Sequence, residues 1–331
     1  PALSSITLAS TLAAAAAKDR DRLASALKDD RSPVTVADLA VQALLTLSLR
    51  ALGDKHIDRL VAEESGASLD GDGGELIARE VLGLLEEALA STPLASATPK
   101  TTNDLRVILD GGAFEPTANE PHPYWCLDPI DGTKGFLRGG QFAIALARIE
   151  SNEPTFGVLG CPHLPFHEAE DYGAIDPHGS TYVAFEGVAY AAAGAPDALE
   201  AFAPIHVAPM PADGVVRTCL SYEKAHTDKD RTSTLLEEAG VAIKPIRIDS
   251  QCKYAMVASG RADLYLRLAR GAYREKSWDH AAGVAVVRAA GGVVEDMEQT
   301  ALSFEGRLLN TAGGICVRTP SIDLSTPRAP L

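Results

Sequence analysis

The sequence has no CxxC pair, no N-x-S/T sequon, no surplus of positive charge and no long apolar run. Each absence excludes a class of protein. Its five cysteines (Cys126, Cys161, Cys219, Cys252 and Cys316) are odd in number and dispersed, which argues for reduced thiols and against a zinc site or a disulfide framework. Lys plus Arg number 30 against 45 Asp plus Glu, a formal charge of −15 at pH 7. So acidic a chain repels phosphate backbones and anionic lipid, so neither nucleic acid nor a membrane surface is expected as a partner. The longest mild apolar stretch, Leu3 to Ala17, carries five Ser or Thr and no basic residue ahead of it. It is too short and too polar to span a bilayer and lacks the charged leader of a secretion signal, so a cytoplasmic location is expected. No G-x-S-x-G nucleophile motif, internal repeat or low-complexity tract beyond Ala13 to Ala17 is present.

What is there is ordinary soluble-protein composition, 46% hydrophobic and 23% charged over 331 residues, enough for two domains or one large one. Helical spacing predicts helices over Ser4 to Lys28, Thr35 to Leu52 and Gly74 to Ala90, with a short strand from Arg59 to Ala62. Strands are expected at Tyr124 to Leu127, Phe142 to Glu150 and Thr155 to Cys161, the last two joined by a turn at Ser151-Asn152-Glu153-Pro154. Ala203 to Gly214 holds three prolines and no periodicity, which puts a boundary between domains of residues 1–209 and 210–331. Beyond it, strands (Val215 to Ser221, Ile243 to Ile248, Asp263 to Leu268, Gly314 to Arg318) alternate with helices (Arg231 to Ala239, Gln251 to Ser259, Asp279 to Ala290). The fold class expected is α/β, with an α+β first half and an α/β second half.

Asp128-Pro129-Ile130-Asp131-Gly132-Thr133 follows an apolar strand, so both carboxylates fall at a strand's C-terminal end, where α/β sheets place ligands. Pro129 holds Asp128 extended and lets Asp131 turn back beside it, while Gly132 and Thr133 can offer N–H groups and a hydroxyl to an anion. Paired carboxylates around a carbonyl suit Mg²⁺. Bland readings stand beside this one. Asp-Pro and Asp-Gly form turns, and Glu63-Glu64 fits a solvated turn. Thr35-x-x-Asp38 fits a capping box, and Ser277 with Asp279 fits a helix start.

Val61-Ala62-Glu63-Glu64-Ser65, Trp125 through Gly139 and Trp278-Asp279-His280-Ala281-Ala282-Gly283 together resemble the lithium-sensitive, Mg²⁺-dependent phosphatase superfamily that includes inositol monophosphatase and fructose-1,6-bisphosphatase. Lys134-Gly135-Phe136-Leu137-Arg138, Ser221-x-Glu223-Lys224-x-His226, Ser250-Gln251-x-Lys253-Tyr254 and Tyr265-Leu266-Arg267 narrow the resemblance to its 3′(2′),5′-bisphosphate nucleotidases, over about Leu3 to Ala312. The resemblance implies a layered αβαβα sandwich. It also implies that Glu63, Asp128, the Ile130 carbonyl, Asp131 and Asp279 bind two or three Mg²⁺, and that Asp38 and Thr133 orient and deprotonate the attacking water. Gly132, Thr133, His226, Ser250, Lys253 and Arg267 would hold the substrate, with His226 near the adenine and Lys253 near the retained phosphate. The implied reaction is hydrolysis of 3′-phosphoadenosine 5′-phosphate to AMP and phosphate, by-product clearance in sulfate assimilation. The resemblance also implies the phosphosulfate analogue as a second substrate and inhibition by Li⁺.

An inositol polyphosphate 1-phosphatase is the alternative within the class, although His226, Lys253 and Arg267 suit an adenine nucleotide better. A non-catalytic nucleotide sensor is the alternative outside it, against which every expected metal ligand is present. The expected partner is a small nucleotide, with the chain a monomer or weak oligomer. The stretch Glu115 to Pro123 departs from the family in being acidic where a Gly/Arg-rich run is usual. Asp70 to Gly74 reads as a turn because the position of a calcium loop's closing Glu is Val81. His163 reads as a loop residue and His280 as a helix start, and Arg138 stays outside the site.

Overall fold

Apolar residues at helical spacing build the N-terminal layer. The computed structural model describes residues 2–18, 33–53, 56–117, 122–222, 229–238, 240–268, 271 and 273–322. Among them, helix α1 (Ala2–Lys18) buries Ile6, Ala9, Leu12, Ala13 and Ala16 on one side, against α2 (Pro33–Ala51). Beyond Lys18 the expected first helix lies outside the described residues. In α2, Leu39, Leu44 and Leu45 are wholly enclosed, each worth roughly 1.5–3 kcal/mol of transfer free energy. The helix is already under way at Pro33, so Thr35 does not cap it, and the capping-box reading of Asp38 is replaced by a buried carboxylate in a helix interior.

Strand β1 (Leu60–Ala62) is followed by a turn at Asp70–Gly73, as expected, with Gly71 and Gly73 at left-handed φ, and then by α3 (Gly74–Leu89). Helix α4 (Thr102–Asp110) was not among the expected elements. Thr101 and Asp104 form a reciprocal capping box at its start, a signal present in the sequence as Thr-x-x-Asp. Strand β2 (Tyr124–Asp131) leads into the short helix α5 (Thr133–Arg138), and β3 (Ala143–Glu150) joins β4 (Glu153–Cys161). Their turn is Ser151 and Asn152 alone, both at positive φ, so Glu153-Pro154 belongs to the strand and not to the turn as expected. Strands β5 (Ser180–Phe185) and β6 (Val188–Ala193) follow, with β7 (Ala203–Pro204) lying inside the stretch read as linker.

The seven strands form one sheet in the order β1-β2-β3-β4-β5-β6-β7, parallel only between β1 and β2. The later elements are β8 (Val216–Leu220), α6 (Lys229–Glu238), β9 (Ile243–Arg247), α7 (Cys252–Ala258) and β10 (Leu264–Leu268). Helix α8 (Ala281–Ala289), β11 (Val293–Asp296) and β12 (Gly314–Arg318) complete a second sheet ordered β11-β12-β10-β8-β9.

Side-chain alternation makes the layers. Trp125, Leu127, Ile144 and Leu146 face α1 to α4, while Cys126, Ala145, Ala147 and Leu159 face α7 and α8. Those two helices also pack on Cys219, Tyr265, Ile315 and Val317 of the second sheet, whose other face meets Leu236 of α6. This is the αβαβα sandwich expected. No described helix is long and apolar enough to cross a membrane.

Candidate active site

The acids are assembled by strand register. The parallel pair aligns Ala62 with Leu127, so the next residues, Glu63 and Asp128, emerge side by side and share a hydrogen bond. Farther along β2, Asp128 stands opposite Ala145 and Asp131 opposite Ala143, a bulge of one extra residue. Pro129, with no N–H to give the ladder, belongs in such a bulge. Ile130 keeps its side chain in the helix-side core yet lines the cavity, so its backbone is what the cavity meets. Gly132 then turns the chain at φ +92°, and a Cβ there would stand 2.8 Å from that of Ser250. Only glycine lets the acid loop approach the second half this closely.

The cavity, about 410 Å³, is lined from the first half by Glu63, Asp128, Ile130, Asp131, Gly132 and Thr133, and from the second by Ser250, Lys253, Arg267 and Asp279. Of the expected site residues, Asp38 is not in the lining; it is buried in α2, where the charges of Glu63 and Glu64 act on it. His226 lies outside the described residues. Lys134, Gly135, Ser221, Asp249, Tyr273, Lys276 and Trp278 also line the cavity without having been singled out as site residues. Lys134, Gly135, Ser221 and Trp278 sat within the motifs. Asp249, Tyr273 and Lys276 carried no local signal beyond closeness to them.

Crowding dominates the electrostatics. Burial first, then Glu63 and its neighbours, raises the Asp128 carboxyl well above the usual range, and burial with Glu63 and Glu64 does the same to Asp38. Glu63, open to the cavity but hemmed in by protein, is pushed up to about 8 by desolvation and by Asp279, and Asp279 to about 7 by desolvation against the opposing pull of Arg267. Asp131 is raised by burial despite Lys253, Arg267 and the Gln251 N–H that donates to its Oδ2.

Asp38 Oδ1 and Asp128 Oδ1 are buried without a hydrogen-bond partner. Unpartnered carboxylate oxygens in an all-oxygen set are what a hard divalent cation takes, so these residues fit one. A closer trio, Glu275, Asp279 and His280, is already occupied by protein. Arg267 sits 2.7 Å from Glu275 and 3.4 Å from Asp279, and His280 lies 3.1 Å from Glu275 and 2.7 Å from the Tyr254 hydroxyl. Burial would raise Glu275, but His280 and Arg267 bring it down to about 2.

The helix after Asp279 begins at Ala281 with His280 as its cap residue, two residues later than expected. Ser277 Oγ accepts from the Cys126 thiol and makes no cap, because the cap position falls on His280. Arg138, held outside the site, pairs with Asp249 on the cavity wall and lies over the Tyr222 ring. His163 is a loop residue, its Nδ1 2.8 Å from the Gly140 carbonyl.

Residues 3–326 match the model of the inositol monophosphatase family. A 3′(2′),5′-bisphosphate nucleotidase of Oryza sativa is 37% identical over 314 residues, covering 94% of this chain and 87% of its own. The 3′(2′),5′-bisphosphate nucleotidase 1 of Arabidopsis thaliana is 36% identical, covering 80% and 75%. Among solved structures, the inositol monophosphatase from Anabaena superposes with a TM-score of 0.53 at 19% identity, covering 96% of this chain and 90% of its own. Mycobacterium tuberculosis SuhB gives 0.52 at 18%, covering 96% and 89%. With the layers, the strand register and the acid-lined cavity agreeing with a match along nearly its whole length, this chain belongs to the inositol monophosphatase family.

Proposed function

We propose that the protein is a Mg²⁺-dependent phosphatase that removes the 3′-phosphate of 3′-phosphoadenosine 5′-phosphate, leaving AMP, with the phosphosulfate analogue as a second substrate. One observation carries the reading: a single cavity is lined both by the acids Glu63, Asp128, Asp131 and Asp279 and by the cations Lys253, Arg267 and Lys276. That arrangement suits a ligand with two phosphates, one cleaved and one held. The relatives named as bisphosphate nucleotidases support the substrate class.

Glu63, Asp128, the Ile130 carbonyl, Asp131 and Asp279 would hold the Mg²⁺, two or three ions in number, which supply charge neutralisation at the phosphoryl group and a more acidic water. The chain does the rest. Asp38, its carboxylate made more basic by burial, takes the proton of the attacking water, with the Thr133 hydroxyl orienting that water. Oxygen attacks phosphorus in line, the bond to the ribose 3′-oxygen breaks, and the departing oxygen takes a proton from solvent. Lys253 holds the retained 5′-phosphate and Ser250 and Arg267 border it, while His226 meets the adenine. Gly132 and Thr133 offer N–H groups to the phosphate being cleaved.

Phosphate release tests the proposal. Turnover of 3′-phosphoadenosine 5′-phosphate is expected to require Mg²⁺, to stop with chelator, to fall with millimolar Li⁺, and to exceed in kcat/KM that of inositol 1,4-bisphosphate. No phosphate released at saturating Mg²⁺ would end it. Preference for the cyclitol would move the substrate class to inositol polyphosphates.

A further inference from the structure

Glu63 and Asp279 come from opposite halves of the molecule, and one side chain is bound to the segments carrying both. Arg307 lies between β11 and β12. Its Nη2 donates to the Ala62 carbonyl at 2.7 Å, one residue before Glu63. Its Nη1 donates to the carbonyls of Gly112 at 3.1 Å and Phe114 at 3.4 Å. The Gly112 carbonyl also accepts the N–H of Ala62, and the Phe114 N–H donates to the Leu60 carbonyl, so these contacts brace the edge of β1 that faces away from β2. Toward the other half, the Arg307 guanidinium lies 4.8 Å from the ring centre of Trp278, one residue before Asp279, and its own carbonyl accepts the Ser277 N–H at 2.9 Å. Glu115 closes the outer side at 3.5 Å.

We propose that Arg307 is a positioning residue that sets the span between Glu63 and Asp279 by tying together the chain that precedes each. The inference rests on the metal reading of those acids given above. A guanidinium suits the task because its planar fork serves several carbonyls at once while its face covers an indole. An ammonium offers neither the fork nor the plane. Within the first half, Gln42 does part of the same work. Its amide accepts the Glu64 N–H at 3.0 Å and donates to the Glu64 carbonyl at 2.7 Å. The bonds of Gln42, to Glu64 and Leu109, stay within the first half, so of the two side chains it is Arg307 that bears on the distance between the acids.

The test follows metal binding without turnover, as the rise in Tm when Mg²⁺ is added to the chelated protein, and then turnover against Mg²⁺ concentration. R307M is expected to raise the half-saturating Mg²⁺ concentration roughly 10- to 100-fold, as loss of a support behind metal ligands does elsewhere. R307K should fall between it and the native protein, with kcat at saturating Mg²⁺ reduced less than the half-saturation constant is raised. R318M removes an arginine paired with Glu295 at 2.8 Å, away from the acids, and should titrate like the native protein. If R307M fails to fold, R307K decides. Native-like titration in a folded Arg307 variant, or an equal defect in R318M, would overturn the inference and leave the metal reading standing. A native protein whose Tm and turnover ignore Mg²⁺ would take both down.

Discussion

The two walls of the cavity carry their charges differently. On the first-half side, Glu63 and Asp128 are crowded by each other and by Asp38 buried outside the lining, with an oxygen of Asp38 and one of Asp128 left unpartnered and the protons of all three held tightly. On the second-half side the cations are already settled. Lys253 lies 5.1 Å from the Tyr265 ring centre and Lys276 5.7 Å from that of Trp278, and Arg267 is paired with Glu275 and Asp279. Ring faces hold an ammonium in place without cancelling its charge, so the lysines remain able to receive an anion. The acid wall gains a counter-charge only by binding cations or protons. One wall therefore stands ready, and the other waits to be loaded.

The largest test of that contrast is D131N. It should cut kcat roughly 10³-fold at saturating Mg²⁺, the order seen when one electrostatic anchor is lost from an enclosed site. Circular dichroism and Tm are expected to stay near native. D38N removes the proposed proton acceptor and should lower kcat roughly 10²-fold with the Mg²⁺ half-saturation little changed, a split read from metal titrations of turnover. On the ready wall, K253M should raise KM for the bisphosphate roughly tenfold, the worth of one charge-assisted hydrogen bond, and raise it less for 3′-AMP. An equal rise for both would remove Lys253 from the retained phosphate.

The smallest effect sharpens the contrast through pH. Glu63 and Asp279 titrate higher folded, at about 8 and about 7, than their ordinary 4.5 and 3.8, so the folded chelated protein holds protons that the unfolded chain has released. Its stability is therefore fullest below the ordinary values and is lost as pH climbs through the folded ones. The Tm of the chelated protein should fall across that window, and Mg²⁺ should flatten the slope. A chelated protein whose Tm rises from pH 5 to 8 would contradict the crowding.

Much of this arrangement was legible in the chain because its parts are local. Asp128 through Thr133 carries a bulge-forming proline, two acids and a left-handed glycine within six residues, and its chemistry follows from their order. Many of the helices and strands follow from helical spacing and alternation, while their layering is what the family resemblance implies. Asp38 was harder to read, since Thr-x-x-Asp is a capping pattern until the helix is seen to begin earlier. The same pattern at Thr101 and Asp104 does cap a helix, and only the fold tells the two apart. Strand β5 shows no alternation because all of it but Phe185 is buried, and the Ala-rich β6 gives only a weak pattern, although Glu186-Gly187, both at positive φ, marks their turn. Asp249, Tyr273, Lys276 and Arg307 could not have been found by pattern at all. Their roles depend on which carbonyls, rings and acids the fold brings to them from distant segments.

Helices α7 and α8 serve both sheets at once, as the filling of the sandwich. Cutting the chain near residue 210 would leave the first fragment with a raw apolar sheet face, and the second with helices greasy on the side that had touched it. Such fragments should precipitate when expressed singly and regain solubility when made together. The protein is therefore a natural candidate for a split reporter, in which catalytic activity reappears only where the two pieces meet.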